Sequence, residues 1–263
     1  MKLNSANINV MVKACRSAAR PLIRDFGEIE KLQVSVKGPG DFVTASDKKV
    51  EKIHIDALSK ARPNYSILSE EIGEIKNDKE FKWIIDPIDG TANFLHGIPH
   101  FCISIGLEQN NEIICGIIFD PIKDEMFLAE KGQGAYLNNQ RMRVSSRSQL
   151  KNSIIFTGGP SFESTNVDKD LSLLEYKKFS SLVAIPIRKM GSAALDIAYV
   201  AAGRCDGFWQ RNLHYWDIAA GIILTKEAGG YITDFEGGDK YVKNKTLLAT
   251  NSRISEEMIK VLK

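Results

Sequence analysis

The sequence predicts an α+β fold, and the prediction rests on two helical patterns followed by a series of short apolar strands. Apolar residues recur at helical spacing over residues 8–26, and a second helical pattern begins at Asp47 and is stopped by Pro63. Further on, apolar runs separated by turn residues indicate an antiparallel meander between residues 101 and 129. Helices followed by consecutive antiparallel strands are typical of the α+β class.

Each remaining element follows from the same two periodicities. Pro21 is expected to kink or divide the first helix, because proline lacks the N–H that an interior turn needs. Two short strands, residues 65–68 and 81–85, each run directly into acidic residues. The second half alternates strands near residues 183–187 and 208 with helices over residues 192–202 and 217–228. A boundary near residue 150 would separate an α+β region (1–150) from an α/β region (151–263), both packed into one compact protein.

Composition argues against several classes of protein. The 263 residues are 43% hydrophobic and 26% charged, which excludes a largely disordered or fibrous chain. The 35 basic and 33 acidic residues nearly cancel, so no overall field marks a nucleic-acid-binding or membrane-surface protein. The four cysteines lack C-x-x-C spacing, and the first residues lack a signal-peptide core. We therefore expect reduced thiols and a cytoplasmic protein without a membrane span.

The sharpest chemical signal is the run I-I-D-P-I-D-G-T, residues 84–91, in which an apolar strand delivers two carboxylates followed by Gly-Thr. Pro87 is expected to stop the strand and Gly90 to permit a tight turn, so that Asp86 and Asp89 converge beside backbone amides that face a phosphate. Carboxylates hold magnesium, and magnesium neutralises phosphate oxygens. The alternative is that Asp89 only caps a helix and Asp86 only closes a turn.

Three further acidic positions strengthen the metal interpretation when they are taken together. Glu70 follows the strand at 65–68, where a neighbouring strand would place it beside Asp86, although Glu70-Glu71 alone would be a solvated surface pair. Asp217 stands in the first turn of a helix, where an acid is normally a cap or a dipole partner. Asp47 likewise looks like an N-cap.

Five sequence blocks closely resemble the inositol monophosphatase family, in order and over nearly the whole chain, and they look most like its bacterial SuhB branch. The blocks are D-F-V-T-A-S-D (41–47), S-E-E-I-G (69–73), I-D-P-I-D-G-T-A-N-F-L-H-G-I-P-H-F (85–101), G-S-A-A-L-D-I-A (191–198) and W-D-I-A-A-G-I-I-L-T-K-E-A-G-G (216–230). The resemblance implies a layered αβαβα sandwich of the sugar phosphatase type. It also implies a magnesium-dependent phosphomonoesterase that uses a metal-activated water and forms no covalent intermediate.

Carried onto this sequence, the resemblance assigns metal-binding, catalytic and phosphate-binding roles, most of them to the N-terminal region. One magnesium ion would be held by Glu70, Asp86 and the Ile88 carbonyl and a second by Asp86, Asp89 and Asp217, with room for a third, weaker ion near Glu70. The catalytic residues would be Asp47, Glu70 and Thr91, and the amides of Gly90 and Thr91 would hold the phosphate. Lys37 resembles a basic residue of the family's mobile first loop.

Substrate contacts depart from the family at one position. Gln210 stands where the family usually has a glutamate that accepts hydrogen bonds from sugar or inositol hydroxyls. A neutral amide should bind a hydroxyl less strongly than a carboxylate, since charge-assisted hydrogen bonds are roughly twice as strong. Ala193 matches a position that lines the substrate ring, although it could equally serve helix packing.

The exact activity stays open among several alternatives. Inositol-1-phosphate is the first candidate substrate, and fructose 1,6-bisphosphate and histidinol phosphate are alternatives on the same fold. The SuhB resemblance adds a protein-binding role in bacterial transcription complexes or ribosome biogenesis. It further implies a homodimer and sensitivity to lithium. Direct nucleic-acid binding is not expected, because the basic run at 141–147 looks like a solvated turn.

Overall fold

The computed structural model describes residues 5–28, 34–38, 41–77, 79–160 and 164–263, and the elements below are those of the described residues. The helices are α1 (Ala6–Phe26), α2 (Ala45–Ala61), α3 (Thr91–Leu95), α4 (Asn166–Leu182), α5 (Ala193–Ala201), α6 (Tyr215–Glu227), α7 (Tyr241–Asn244) and α8 (Ser255–Leu262). The strands are β1 (Val34–Gly38), β2 (Asp41–Thr44), β3 (Ser66–Ser69), β4 (Gly73–Ile75), β5 (Phe81–Asp89), β6 (Cys102–Gln109), β7 (Glu112–Asp120), β8 (Glu125–Glu130), β9 (Gly134–Leu137), β10 (Gln140–Met142), β11 (Ile155–Thr157), β12 (Gly207–Arg211), β13 (Tyr231–Thr233) and β14 (Thr246–Thr250).

The described residues form two large sheets and a separate two-stranded hairpin of β1 and β2. The larger has eight strands in the order β10-β9-β8-β7-β6-β5-β3-β4, and it contains the predicted antiparallel meander. The smaller has four strands in the order β11-β12-β14-β13. The strands of the larger sheet lie between residues 66 and 142 and those of the smaller between 155 and 250, on either side of residue 150.

Helices and sheets alternate in five layers, and an apolar core fills each of the four interfaces between them. The first core joins α1 and α2 to one face of the larger sheet, and the second joins the other face to α5 and α6. The third core joins α5 and α6 to the smaller sheet, and the fourth joins that sheet to α4 and α8. The predicted αβαβα sandwich is confirmed.

Helix α6 lies very close to the larger sheet because two glycines face it. Gly106 of β6 and Gly116 of β7 are directly opposite each other in the sheet. A Cβ atom at Gly116 would lie 2.5 Å from Ile223 Cγ2 and 2.7 Å from the Ala220 carbonyl oxygen, well inside normal contact distance. This contact sets the depth at which α6 lies, and with it the position of the first turn of α6.

Several local predictions were wrong at the level of single elements. Helix α1 is not divided at Pro21, because its buried face is packed against the larger sheet on both sides of the proline. Residues 183–187 form no strand; Pro186 cannot donate to a ladder, and only Arg188 makes a bridge, to Phe156. Helix α4 was not predicted, although Thr165 caps it by accepting from the Asp168 N–H.

All four cysteines are buried free thiols, as predicted. Within the described part of the chain, no helix combines the length and the apolarity that a membrane crossing requires.

Candidate active site

Strand pairing places Glu70 beside Asp86. Strands β3 and β5 run parallel with Ser69 opposite Ile85, and the Glu70 N–H donates to the Ile85 carbonyl oxygen at 3.3 Å. The next residue of each strand is therefore an acid, at the same edge of the sheet. This parallel pairing is the geometric reason why Glu70 lies beside Asp86, as the sequence predicted.

A bulge brings Asp86 and Asp89 together. Strand β5 extends to Asp89, with Asp86 opposite Ser104 and Asp89 opposite Cys102 of β6, so three steps in one strand match two in the other. Residues three apart in a regular strand face opposite sides, and the extra residue corrects this. Pro87 thus does not stop the strand, contrary to expectation; it lies in the bulge, where its missing N–H is tolerated.

The fourth acid arrives from the C-terminal half. Asp217 is the third residue of α6, and its Oδ2 accepts a hydrogen bond from the His214 N–H at 2.7 Å. Asp217 therefore stabilises the start of α6, as its position in the sequence indicates. The same helix start lies close to Asp86 and Asp89. Asp217 influences the ionisation of Asp86, and Asp89 and Glu70 influence that of Asp217.

The four carboxyl groups form one electrostatic unit, here called the acidic cluster: Glu70, Asp86, Asp89 and Asp217. Burial, followed by the charges of Glu70, Asp89 and Asp217, holds the pKa of Asp86 well above its usual range. Burial followed by the charge of Asp89 does the same to the pKa of Asp217. Burial raises the pKa of Asp89 as well, against the opposing effect of hydrogen bonds from Ser192 and Ala194.

The donor set of the acidic cluster fits a hard divalent cation. Among the described residues, no ion pair joins a lysine or arginine to Asp86, Asp89 or Asp217. Buried acids that repel one another are stabilised by a cation between them, and carboxylate oxygens are the ligands magnesium prefers. Within the described ranges no three such groups already enclose a common point as a closed metal site. The four donors therefore match a hard cation by their chemistry, while their positions do not form a closed metal site as they stand.

Thr91 connects the acidic cluster to helix α2. Its Oγ1 lies 3.3 Å from Asp47 Oδ1 and 3.0 Å from the Ile88 carbonyl oxygen. Thr91 starts the short helix α3, whose N-cap Gly90 has φ 97°, and a Cβ there would also come within 3.2 Å of the His100 carbonyl oxygen. Asp47 is buried as the third residue of α2, so the N-cap interpretation of Asp47 was wrong.

Glu51 holds the segment that contains Glu70, and sequence reasoning missed it. Its Oε1 accepts hydrogen bonds from the Ser69 hydroxyl, from the Glu71 N–H at 3.0 Å and from the Ile72 N–H at 3.2 Å. These donors lie on both sides of Glu70 in the chain. The available signal was spacing, because residues four apart on a helix share a face, and Glu51 lies four residues after Asp47.

The start of α5 holds Asp89, and this too was missed. Asp89 Oδ2 accepts hydrogen bonds from the Ser192 hydroxyl at 2.5 Å and the Ala194 N–H at 2.7 Å. The alternative that Asp89 caps a helix therefore has a structural counterpart, in a helix more than a hundred residues away along the chain. No local sequence signal links the two.

The predicted substrate residues lie on the C-terminal half. Ala193 is the half-buried first residue of α5 and packs at the edge of the third core. Gln210, in β12, is folded over Gly158: a Cβ at Gly158 would lie 1.9 Å from Gln210 Oε1. The cavity beside them, which Lys189 also lines, offers about 20 Å³, room for one water molecule. Lys37 lies in β1, in a two-stranded hairpin with β2, and its side chain is outside the described part of the structure.

Comparison with known proteins identifies the family that this chain resembles. The sequence profile of the inositol monophosphatase family matches residues 4–263. An inositol-1-monophosphatase from Rhizobium meliloti is 49% identical over 98% of this chain and 96% of its own length. The Nus factor SuhB of Xylella fastidiosa is 39% identical over 97% of this chain and 94% of its own length. The crystal structure of the extragenic suppressor protein SuhB from Bartonella henselae superposes with a TM-score of 0.95 at 48% identity, covering 98% of this chain and 99% of that one.

The family match covers residues 4–263, which include every block that carries the acidic cluster. The Bartonella henselae structure has the same fold as this chain over nearly its full length. The chain is therefore a phosphatase and belongs to the inositol monophosphatase family.

Proposed function

We propose that this chain is a magnesium-dependent phosphomonoesterase that hydrolyses inositol-1-phosphate or a similar small polyol or sugar phosphate. The observation that carries the proposal is the acidic cluster, in which four acids from β5, α6 and the segment after β3 share one electrostatic environment beside the start of α3. The name of the Rhizobium meliloti relative supports inositol-1-phosphate as the first substrate to test.

The metal ligands of the proposal are Glu70, Asp86, Asp89, Asp217 and the Ile88 carbonyl. Magnesium, when bound, supplies positive charge against the phosphate oxygens and lowers the pKa of water. The carboxylates hold their orientation through neighbouring donors: Asp86 Oδ1 accepts from the Ile88 N–H at 3.0 Å, and Asp217 Oδ2 accepts from the His214 N–H. Donors that already fix the ligands reduce the reorganisation needed during the reaction.

Thr91 and Asp47 would orient the attacking water and remove its proton. When the Thr91 hydroxyl donates to Asp47, its lone pairs are available to accept a hydrogen bond from water. A proton leaving that water can pass through the Thr91 hydroxyl to the buried Asp47 carboxylate. The amides at Gly90 and Thr91 would bind the phosphate at the start of α3.

Gln210 is the residue that bears on the choice of substrate. Gln210 lies against Gly158 and keeps an acceptor without a charge, so a polyol would contact a neutral amide there. Fructose 1,6-bisphosphate and histidinol phosphate therefore remain alternatives to inositol-1-phosphate. The homodimer and the lithium sensitivity expected from the family belong to the same proposal.

The test is phosphate release from inositol-1-phosphate, fructose 1,6-bisphosphate, histidinol phosphate and an adenosine bisphosphate, with and without magnesium. Asp89→Asn removes one metal ligand and should lose turnover, while Asp170→Asn, an exposed aspartate of α4, should keep it. Magnesium-dependent turnover lost only in Asp89→Asn would support the proposal. Equal turnover of wild type and Asp89→Asn would reject the acidic cluster as the catalytic site.

A second candidate function is a protein-binding role, because the chain is 39% identical to a protein named Nus factor SuhB. The two functions separate in cells that depend on this protein. If folded Asp89→Asn still supports growth, the cellular task does not need the acidic cluster. If cells that carry Asp89→Asn fail to grow and cells that carry the control Asp170→Asn grow normally, the cellular task is the phosphatase reaction.

A further inference from the structure

Ser192 has an unusual role for a residue at a helix start. A serine at the N-cap normally uses its hydroxyl oxygen to accept an N–H from the first turn of its own helix. In α5 the N-cap Ser192 makes no such bond, and its hydroxyl donates to Asp89 Oδ2 instead. The N–H of Ala194, which the serine would ordinarily cap, donates to the same carboxyl oxygen.

This arrangement occupies one carboxyl oxygen of Asp89, Oδ2, and the Ala193 N–H is a further hydrogen-bond donor to the same carboxyl group. A carboxylate oxygen has two lone pairs, and the Ser192 hydroxyl and the Ala194 N–H occupy both on Oδ2. The Cys102 thiol also lies 3.8 Å from Oδ2, on the side of β6. A divalent ion therefore reaches this carboxyl group through Oδ1.

The start of α5 is itself locked to the segment that carries Asp89. The Asn93 amide donates to the His100 carbonyl oxygen at 2.7 Å and to the Met190 carbonyl oxygen at 2.8 Å, using both of its N–H groups. His100 Nε2 lies 3.1 Å from Asp196 Oδ1, and both side chains are buried. Ser192 thus cannot move away from Asp89 unless these contacts also break.

We propose that Ser192 is a positioning residue that holds Asp89 as a single-oxygen ligand for the divalent ion; this inference rests on the proposed metal-dependent function. Without the hydroxyl, Oδ2 regains an open lone pair and the carboxyl group can rotate about its side-chain torsion. The cation would then bind a carboxyl group that adopts several orientations, and its affinity would be lower. The effect acts on metal binding itself, before any substrate arrives.

The test measures Mn²⁺ binding to the substrate-free protein by electron paramagnetic resonance, together with the Mg²⁺ concentration that gives half-maximal phosphate release. In Ser192→Ala, the affinity for Mn²⁺ should fall about tenfold or more, and the half-maximal Mg²⁺ concentration should rise by a similar factor. This is the effect typical of removing a hydrogen bond to a metal ligand. Ser192→Thr keeps the hydroxyl, and the extended backbone at this position, φ −139° and ψ 106°, suits a β-branched residue. It should bind Mn²⁺ as the wild type does.

Ser180→Ala removes an exposed hydroxyl of α4 that bonds only its own helix, and it is the matched control. Unchanged Mn²⁺ binding in Ser192→Ala would overturn the inference, and so would a Thr variant as weak as the Ala variant, which would indicate a packing effect. If Ser192→Ala does not fold, Ser192→Cys keeps a weak donor of similar size and should bind with intermediate strength. A wild type that binds no Mn²⁺ would instead reject the proposed function, and this inference with it.

Discussion

Gly116→Ala should damage both stability and catalysis, because the added methyl group has no room beneath α6. Its carbon would lie 2.5 Å from Ile223 Cγ2 and 2.9 Å from the Ala220 Cα, whereas carbon atoms in contact are normally separated by about 3.5–4.0 Å. Helix α6 would have to move outward by about 1 Å to restore that separation. Overpacking of this kind costs about 1–3 kcal/mol of the free energy of unfolding.

The same displacement moves Asp217, because the acid stands in the first turn of α6. Misplacing a catalytic group by about 1 Å can reduce the rate about 100-fold. Urea unfolding measures the first effect, and kcat for phosphate release measures the second. Gly106→Ala, whose Cβ would lie 3.0 Å from Ala219 Cβ, should be milder, and Gly27→Ala, with its nearest atom at 3.4 Å, should be neutral. A Gly116→Ala protein with wild-type stability and kcat would refute the claim that these glycines set the position of α6.

Three further predictions test the buried polar groups around the two halves. Glu51→Ala should lower the free energy of unfolding by about 2–4 kcal/mol, since it leaves three donors unsatisfied. It should also weaken Mn²⁺ binding, because the segment that contains Glu70 loses its support. Wild-type values for both the free energy of unfolding and Mn²⁺ binding would contradict this prediction. Arg211→Ala should cost about 3 kcal/mol at pH 7, since it leaves Glu175 buried without its ion partner. Burial raises the pKa of Glu175, so the loss should shrink as the pH falls and Glu175 becomes neutral; a pH-independent loss would refute this. Burial also raises the pKa of Asp196 from 3.8 to about 6, so its contribution to stability is fully present below pH 3.8 and declines by about 3 kcal/mol as the pH rises through 6. Asp196→Asn should remove that decline, and parallel urea-derived stability curves for variant and wild type between pH 4 and 7.5 would contradict it.

Sequence reasoning succeeded where the signal is local. The helical spacing of α1 and the turn residues of the meander are set by neighbours within a few positions, so they could be predicted from one sequence. Glu70, directly after β3, and Asp86, in β5, could be predicted as neighbours, because the parallel pairing of the two strands places them side by side.

Sequence reasoning failed where a tertiary contact overrides the local rule. Pro21 was expected to kink or divide α1, and it does not divide it, because the face that α1 buries on the larger sheet outweighs one missing backbone hydrogen bond. Residues 183–187 have the apolar character of a strand but form none. The bulge at Pro87 could not be predicted, because it depends on the register that β6 adopts beside β5.

The residues that hold the acidic cluster were less predictable than the acids, and the reason is physical. Asp86 and Asp89 are buried and Glu70 and Asp217 are half-buried beside them, so in the absence of a cation their repulsion opposes folding. The chain offsets this with donors that come from distant positions: Glu51 holds the segment around Glu70, and Ser192 and Ala194 hold Asp89. A carboxylate motif is visible in sequence because its members are close together, whereas its supporting donors need only be close in space. The supporting residues are therefore where a structure adds most to a sequence in this family, and Ser192 and Glu51 are the positions at which substitution should separate ligand identity from ligand orientation.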